Sequence, residues 1–442
     1  MSSPGGFDAF RIGELEDAGP EEPQDVSYTY WPVNYLNGDP TVISNAPFPL
    51  SGVQFSVLAR GVGEMKASIQ LADPTVRAMG PWDKFVDRKT GIVVVRTVTQ
   101  PNGLKTSTVP FHGILWSSPK NPETGRMECT FQTVESAWAR RLITGPPPVG
   151  QHAADGTPLP DVEWHQADQA QIVRDLLNPQ IFSQIGNVVN QFPGWINVDA
   201  PVANMGVPRD MTYPRGSETN LLTAHQDRSK IINGYEWYTT QKVQVGVDAL
   251  SASSFRCVFV WGYPRLGRQY DNGDAIPRFS YFTDGRGNIS SIDYVQDGKA
   301  VANVVWGTGA GFNDDNLRVV SSYTQDWTNG FLITEDRYSN SDVSIEQTLQ
   351  DQTNSRLIQG YANESFVGSV TVRGDLFPYF DSYNIGDDCL FTTDDWTWPD
   401  NPDGTRGVTY ISRIMGWKVT PPEGTTAETI DLVLAGRQDI DG

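Results

Sequence analysis

The chain has 442 residues, 38% of them hydrophobic and only 19% charged, with 13 Trp, 42 Gly and 30 Pro. That composition excludes bulk disorder, suits about three domains at ~150 residues each, and reads as β-rich. The net charge is −20, from 53 acidic and 33 basic residues, which excludes the clustered Lys/Arg needed to grip a nucleic-acid backbone.

Residues 1–27 form the first segment, rich in Gly, Pro and Glu, with Glu14, Glu16, Asp17, Glu21, Glu22 and Asp25 against a single Arg11. It is expected to be a flexible N-terminal arm, solvated when free and able to order on a partner through Phe7, Phe10 and Ile12. The first ten residues lack the charged and apolar regions of a secretory signal. No apolar run approaches the ~18–20 residues of a membrane span. The chain is therefore expected to be made in a cytoplasm, or built into something assembled there.

Residues 28–145 carry strand signals. Val53–Leu58 and Ala67–Leu71 alternate apolar with small or polar residues, and Ile92–Arg96 is a β-branched run. Thr108–Trp116 and Met127–Val134 are strands joined by the turn sequence 119–125. Short strands with turns between them predict a first β-barrel. Gly145–Gly150 reads as a linker. Residues 146–250 hold this linker and a mixed α/β insertion. Its first helix is capped by Asp168, striped by Ile172, Val173, Leu176 and Leu177, and stopped by Pro179. Its second runs over about 218–232 after Ser217, with Leu221, His225 and Ile232 on one face and Gly234 beyond its end. A strand-like stretch, Tyr235–Tyr238, follows.

Residues 251–360 are a β-rich middle domain, with strands at Arg256–Trp261, Ile289–Tyr294 and Ala302–Trp306. A helix opens near its end at Ser341-Asp342, with Ile345 and Leu349 on one face. Residues 361–442 return to strands and form a second β-barrel. The two ends echo each other. Phe111–Lys120 followed by Arg126–Thr133 is strand, turn, strand, and Tyr410–Pro422 followed by Glu428–Leu434 repeats it. A preceding strand, Ile92–Arg96 or Cys389–Thr393, completes each set. The expected fold class is mainly β with an α/β insertion, two tube-like β-barrel domains flanking a mixed α/β region.

The chemistry-bearing residues do not converge. His112, His152, His165 and His225 show no HExxH or HxH spacing, and read as structural. Cys129, Cys257 and Cys389 lie far apart without a CxxC, which fits three small buried residues. There is no GxSxG nucleophile elbow. Gly307-Thr-Gly-Ala-Gly311 has GxGxG spacing and no apolar helix after it, so it is a poor phosphate cradle. Asp394, Asp395, Asp400 and Asp403 lack the EF-hand spacing and fit a loop tip. Asp and Glu are abundant enough that a glycosidase pair cannot be picked out by proximity. No catalytic, cofactor-binding or metal-ligating residues are assigned, no cofactor is expected, and the chain is expected not to be an enzyme.

The ordered series Val53–Ile69, Gly91–Arg96, His112–Trp116 and Val134–Arg141 resembles the first domain of the minor tail or baseplate hub proteins of long-tailed (siphovirus) phages, especially those of actinobacteria. Ala167–Leu177, Gly234–Trp237 and Gly262–Arg268 are similar to the family's next landmarks, in order. Ile385–Asp388 and the final hairpin resemble its last domain. The resemblance implies a homotrimeric tail-tip hub that closes the tail tube. Two barrels in each of three chains would give six, matching a six-fold ring of distal-tail or tube subunits to a three-fold tip. It further implies contact with the tape measure protein and with other tail-tip or central-fibre proteins. Viral DNA would pass through without specific binding, and the chain would reside in the virion. Some relatives carry an appended peptidase or lysin domain, and with six residues after Gly436 none is expected here. Two alternatives stay open on the residues alone, a cell-wall or polysaccharide hydrolase with β accessory domains and a glycan-binding adhesion module.

Overall fold

The computed structural model describes residues 23–35, 41–100, 102–143, 155–158, 160–177, 196–199, 204–214, 219–230, 234–243, 255–294, 301–311, 316–341, 343, 346–362, 367–397 and 407–435. Strands dominate these residues and helices are few, so the fold is mainly β, as the sequence pattern implies. The chain forms two units. The first holds Val26–Leu266 and Gly416–Thr426; the second holds Gly267–Met415 and Ala427–Gly442, with Met1–Asp25.

In chain order the first unit contains β1 (Asp25–Asn34), β2 (Thr41–Val42), β3 (Ser51–Leu58), β4 (Glu64–Gln70), α1 (Pro74–Ala78), α2 (Pro81–Lys84), β5 (Thr90–Thr99), β6 (Lys105–Ser117), β7 (Lys120–Asn121), β8 (Arg126–Gln132) and α3 (Glu135–Trp138). There follow β9 (Val162–Asp168), α4 (Gln169–Leu176), β10 (Ile196–Asp199), β11 (Pro208–Tyr213), α5 (Leu221–Ser229), β12 (Glu236–Val243) and β13 (Phe255–Gly262). The large sheet runs β2-β1-β5-β6-β8-β4-β3. The links β5–β6, β6–β8, β8–β4 and β4–β3 are antiparallel. Period-two alternation explains why these strands sit as they do. Val53, Phe55 and Val57 of β3, and Met65, Ala67 and Ile69 of β4, turn inward, while Gln54, Lys66 and Gln70 turn to solvent. β5 departs from this pattern, because Thr90–Arg96 is buried on both faces. That is why Ile92–Val95 reads as a continuous β-branched run rather than an alternation.

A second core forms around Trp138, Trp237, Trp261, Phe259 and the apolar stripe of α4. The Asp168 side chain accepts the Ala170 N–H at 2.9 Å, as expected for the cap of α4. The second helix is shorter than expected. It is Leu221–Ser229, and its cap is Asn220, whose side chain accepts the Thr223 N–H. An Asx side chain directly before the first turn outcompetes a serine three residues upstream. Ser217, Ile232, Pro179 and the 145–150 linker lie outside the described residues, as do 1–22 of the expected arm.

The second unit contains β14 (Arg278–Phe282), β15 (Ile289–Tyr294), β16 (Val304–Thr308), β17 (Arg318–Ser322), α6 (Thr324–Thr328), β18 (Glu335–Ser339), α7 (Glu346–Ala362), β19 (Val367–Arg373), β20 (Asp388–Asp394), β21 (Thr409–Thr420) and β22 (Thr429–Ala435). β15–β19, β19–β22 and β20–β21 are antiparallel, β22 lies beside β21, and β14 runs parallel to β20. The last part of β21, Gly416–Val419, pairs with β3 within the first unit. A separate sheet has β16 at its centre, antiparallel to β17 and parallel to β18. α7 starts at Glu346, later than the Ser341-Asp342 opening read from sequence; Asp342 and Ile345 lie outside the described residues.

The echo seen in the sequence has a structural counterpart. β5 pairs with β6 and β6 with β8, and β20 pairs with β21 beside β22. Both sets place three successive long strands in the same neighbour order.

Candidate functional surfaces

His112, His225 and the three cysteines serve the cores. His225 is fully buried among Trp138, Trp237 and Phe259, and its Nδ1 lies 2.5 Å from the Tyr235 hydroxyl. Burial lowers its pKa to about 3, so the imidazole is neutral. His112 is lowered to about 3 by the same cause, and its Nδ1 stands 3.9 Å from Cys257 Sγ. His165 is exposed, with Nε2 3.1 Å from a Glu163 carboxylate oxygen. His152 lies outside the described residues. The three cysteines are buried thiols outside any disulfide. Burial pushes the Cys129 thiol up to about 12 and Cys389 well above its ordinary value, so neither is a ready thiolate. Among the described residues, no group of three or more His, Cys, Asp or Glu is arranged to hold a metal ion.

Gly307 and Gly309 have a packing reason. A Cβ on Gly307 would sit 2.1 Å from Thr353 Oγ1 of α7, and one on Gly309 would sit 2.6 Å from the Val343 carbonyl oxygen. Asp395 accepts the Tyr294 hydroxyl and the Thr397 N–H, each at 2.8 Å. Asp400 and Asp403 lie outside the described residues.

Sequence reasoning missed the role of Glu135. It opens α3 fully buried, and its Oε1 accepts the Thr239 N–H at 3.1 Å and the Thr239 hydroxyl. Burial raises its pKa despite these bonds. The ends of two stretches noted separately in the sequence, Gly267-Arg268 and Gly386-Asp387, meet in the second unit. Asp387 is 1% exposed and accepts the Arg268 backbone N–H at 2.7 Å, Nε at 3.0 Å, Nη2 at 2.6 Å and the Asn384 N–H at 2.9 Å. Gly267 makes the approach possible. Its φ is +79°, and a Cβ there would lie 2.2 Å from the Gly386 carbonyl carbon.

The surfaces open to a partner are sheet faces. On the first unit, Gln54 and Ser56 of β3, Lys66 and Ser68 of β4, and Glu128 and Thr130 of β8 share the outward face. Ser68 donates to Glu128 at 2.6 Å, and Lys66 lies 3.2 Å from Glu64. The corresponding face of the second unit is more acidic. Ser369 donates to Asp293 at 3.0 Å and Thr371 to Asp431 at 2.7 Å, while Val370, Val372, Ile430 and Leu432 point the other way into the core. At the end of β19, Arg373 is tied to Asp375 at 2.5 Å. The second unit's face is built from small polar side chains and carboxylates that accept hydrogen bonds from hydroxyls, whereas the first unit's face also carries the exposed Lys66, Arg126 and Lys418.

No protein-family model matches the sequence, and no curated protein matches it. Solved structures do. The tail protein from Neisseria meningitidis MC58 aligns over 93% of this chain and 97% of its own, at 13% identity and a TM-score of 0.50. The two chains share a fold. The 43 kDa tail protein of prophage MuSo2 from Shewanella oneidensis aligns over 88% of this chain and 93% of its own, at 9% identity and a TM-score of 0.48. Prophage tail protein gp18 from Listeria monocytogenes EGD-e aligns over 91% and 94%, at 10% identity and a TM-score of 0.45. Only the first likeness is close enough to bear on the fold.

Proposed function

We propose that the chain is a structural component of a phage tail, the trimeric hub at the tail tip that closes the tube and forms the channel for DNA exit. The observation that carries this reading is the fold shared with a tail protein over nearly the whole of both chains. The repeated three-strand set supports two tube-like barrels per chain. Six such barrels in a trimer would stack on a hexameric tube or distal-tail ring through heterologous contacts, converting six-fold to three-fold symmetry. The division into a 1–27 arm, a 28–145 barrel, a 146–250 insertion, a 251–360 middle domain and a 361–442 barrel belongs to the same proposal.

In this reading the hydroxyl-and-carboxylate sheet face of the second unit lines the channel. DNA that must slide should meet few Lys or Arg side chains, because each neutralised phosphate adds a salt-dependent sticking term. Like charge within about one Debye length, ~8 Å at physiological salt, keeps the duplex away from the wall. The chain would work without catalysis, beside the tape measure and other tail-tip proteins, in virions assembled in the host cytoplasm. Light scattering on the purified chain and image reconstruction of assembled tails test the proposal. The expected mass is three times the 48.8 kDa chain. A stable dimer, a monomer within assembled particles, or a pore lined with Arg and Lys would overturn it.

A further inference from the structure

The small sheet of the second unit has one covered and one open face. α7 covers the first, with Leu349 and Thr353 fully buried and Gly307 against Thr353. The open face carries Trp306 on β16, level with Val320 on β17 and Arg337 on β18, and Arg318 lies two residues along from Val320. The indole N–H donates to Glu335 at 2.8 Å. Glu335 is level with Val304, so the ring leans toward the end of the sheet marked by Asn303. That end is apolar and exposed. The Asn303 side chain donates to the Leu332 carbonyl at 2.9 Å, and its own carbonyl accepts the Tyr323 N–H at 3.0 Å. Leu332 is 84% exposed, Phe331 63% and Ile333 60%.

An exposed patch of this size that combines aromatic, aliphatic and arginine side chains has the composition of a protein-binding hot spot. The guanidinium groups of Arg318 and Arg337 pair with no carboxylate among the described residues, so the occupant must bring anionic charge as well as apolar side chains. A nucleic acid needs more than two phosphate contacts to be held, and an anionic lipid surface calls for a cluster of basic residues, whereas Glu335 and Asp326 flank this patch. The chain itself contains the complementary sequence. Residues 7–17 combine Phe7, Phe10 and Ile12 with Glu14, Glu16 and Asp17. We infer that the open face of the β16–β18 sheet is the docking site for residues 7–17 of this chain, apolar side chains against Trp306 and Leu332 and carboxylates against Arg318 and Arg337.

The test uses the full-length protein with a photo-crosslinking benzoylphenylalanine at exposed Val320, read by mass spectrometry. The crosslinked peptide is expected to fall within residues 7–17. Its yield should drop roughly tenfold on combining Arg318→Glu with Arg337→Glu, the loss of two exposed ion pairs. It should recover when Glu14→Arg and Glu16→Arg are added. Mixing isotopically light and heavy chains tells whether the segment comes from the same or another copy, and either source supports the assignment. Crosslinks elsewhere, no crosslink, or a yield indifferent to both charge reversals would overturn it. The trimer proposal is measured separately by mass, so either can fail alone.

Discussion

The buried histidines and Glu135 of the first unit and the buried Asp387 of the second are accommodated by opposite means. In the first, the His112 and His225 imidazoles and the Glu135 carboxyl sit in the core with no ion partner among the described residues, and burial shifts each toward its neutral form. In the second, buried Asp387 is gripped by the Arg268 guanidinium and by two backbone N–H groups. A neutralised group tolerates salt but is exposed to pH, because the unfolded chain can ionise it at no desolvation cost. A gripped charge is held by geometry, and fails when one partner is removed.

The sharpest way to break this contrast is Asp387→Ala. It leaves the Arg268 guanidinium and the N–H groups of Arg268 and Asn384 without their acceptor. The second unit should lose about 3–5 kcal/mol, read as faster hydrogen exchange in Gly267–Met415 with the first unit unchanged. Equal loss in both units would remove the distinction between them.

Acid should act the other way round. Each histidine has a folded pKa of about 3, below its unfolded value of 6.5. Between those values the unfolded chain holds a proton that the folded chain does not. The stabilisation is therefore complete above pH 6.5 and is lost as pH falls toward 3. By linkage, each should cost the first unit about 2 kcal/mol at pH 5 relative to pH 8. Unit-resolved hydrogen exchange across that range checks this, and His225→Phe should flatten part of the dependence. A second unit that loosens first between pH 8 and 5 would contradict it.

Glu135 sharpens the comparison with a smaller effect of opposite sign. Its folded pKa is raised, so the stability it contributes is present at acid pH and is lost as pH rises through the folded value. Glu135→Gln keeps an acceptor for Thr239 and removes the ionisation. The first unit should then lose less stability than the parent as pH rises above the ordinary carboxylate value of 4.5, read by urea denaturation. The smallest effect is expected for Trp306→Ala on the open sheet face, within about 0.5 kcal/mol of the parent, since the side chain is half exposed and fills no core. A large loss would mean that the indole supports the sheet rather than awaiting an occupant.

Local rules made much of this legible in advance. Alternation exposed β3 and β4, the β-branched run exposed β5, and Asp168 before an apolar stripe exposed α4. Each is decided by neighbours a few residues apart, where φ/ψ preference, capping and pleat periodicity operate. The later start of α7 and the shorter α5 show the limit of those rules, because a helix end depends on which of several polar residues reaches a free N–H.

The repeated strand set was also visible in the residues, since a hairpin carries its own turn. What the sequence by itself determined, then, is a mainly β chain, acidic overall, with its strands in order and an arm of mixed apolar and acidic residues. Only the tertiary structure decided that Arg268 meets Asp387 across 119 positions, that Thr239 donates to Glu135, and that Trp306 lies level with Arg337 and Val320 on an open sheet face. Such pairings are set by which strands lie side by side. That choice is made by packing and loop closure over the whole chain, and no local pattern encodes it.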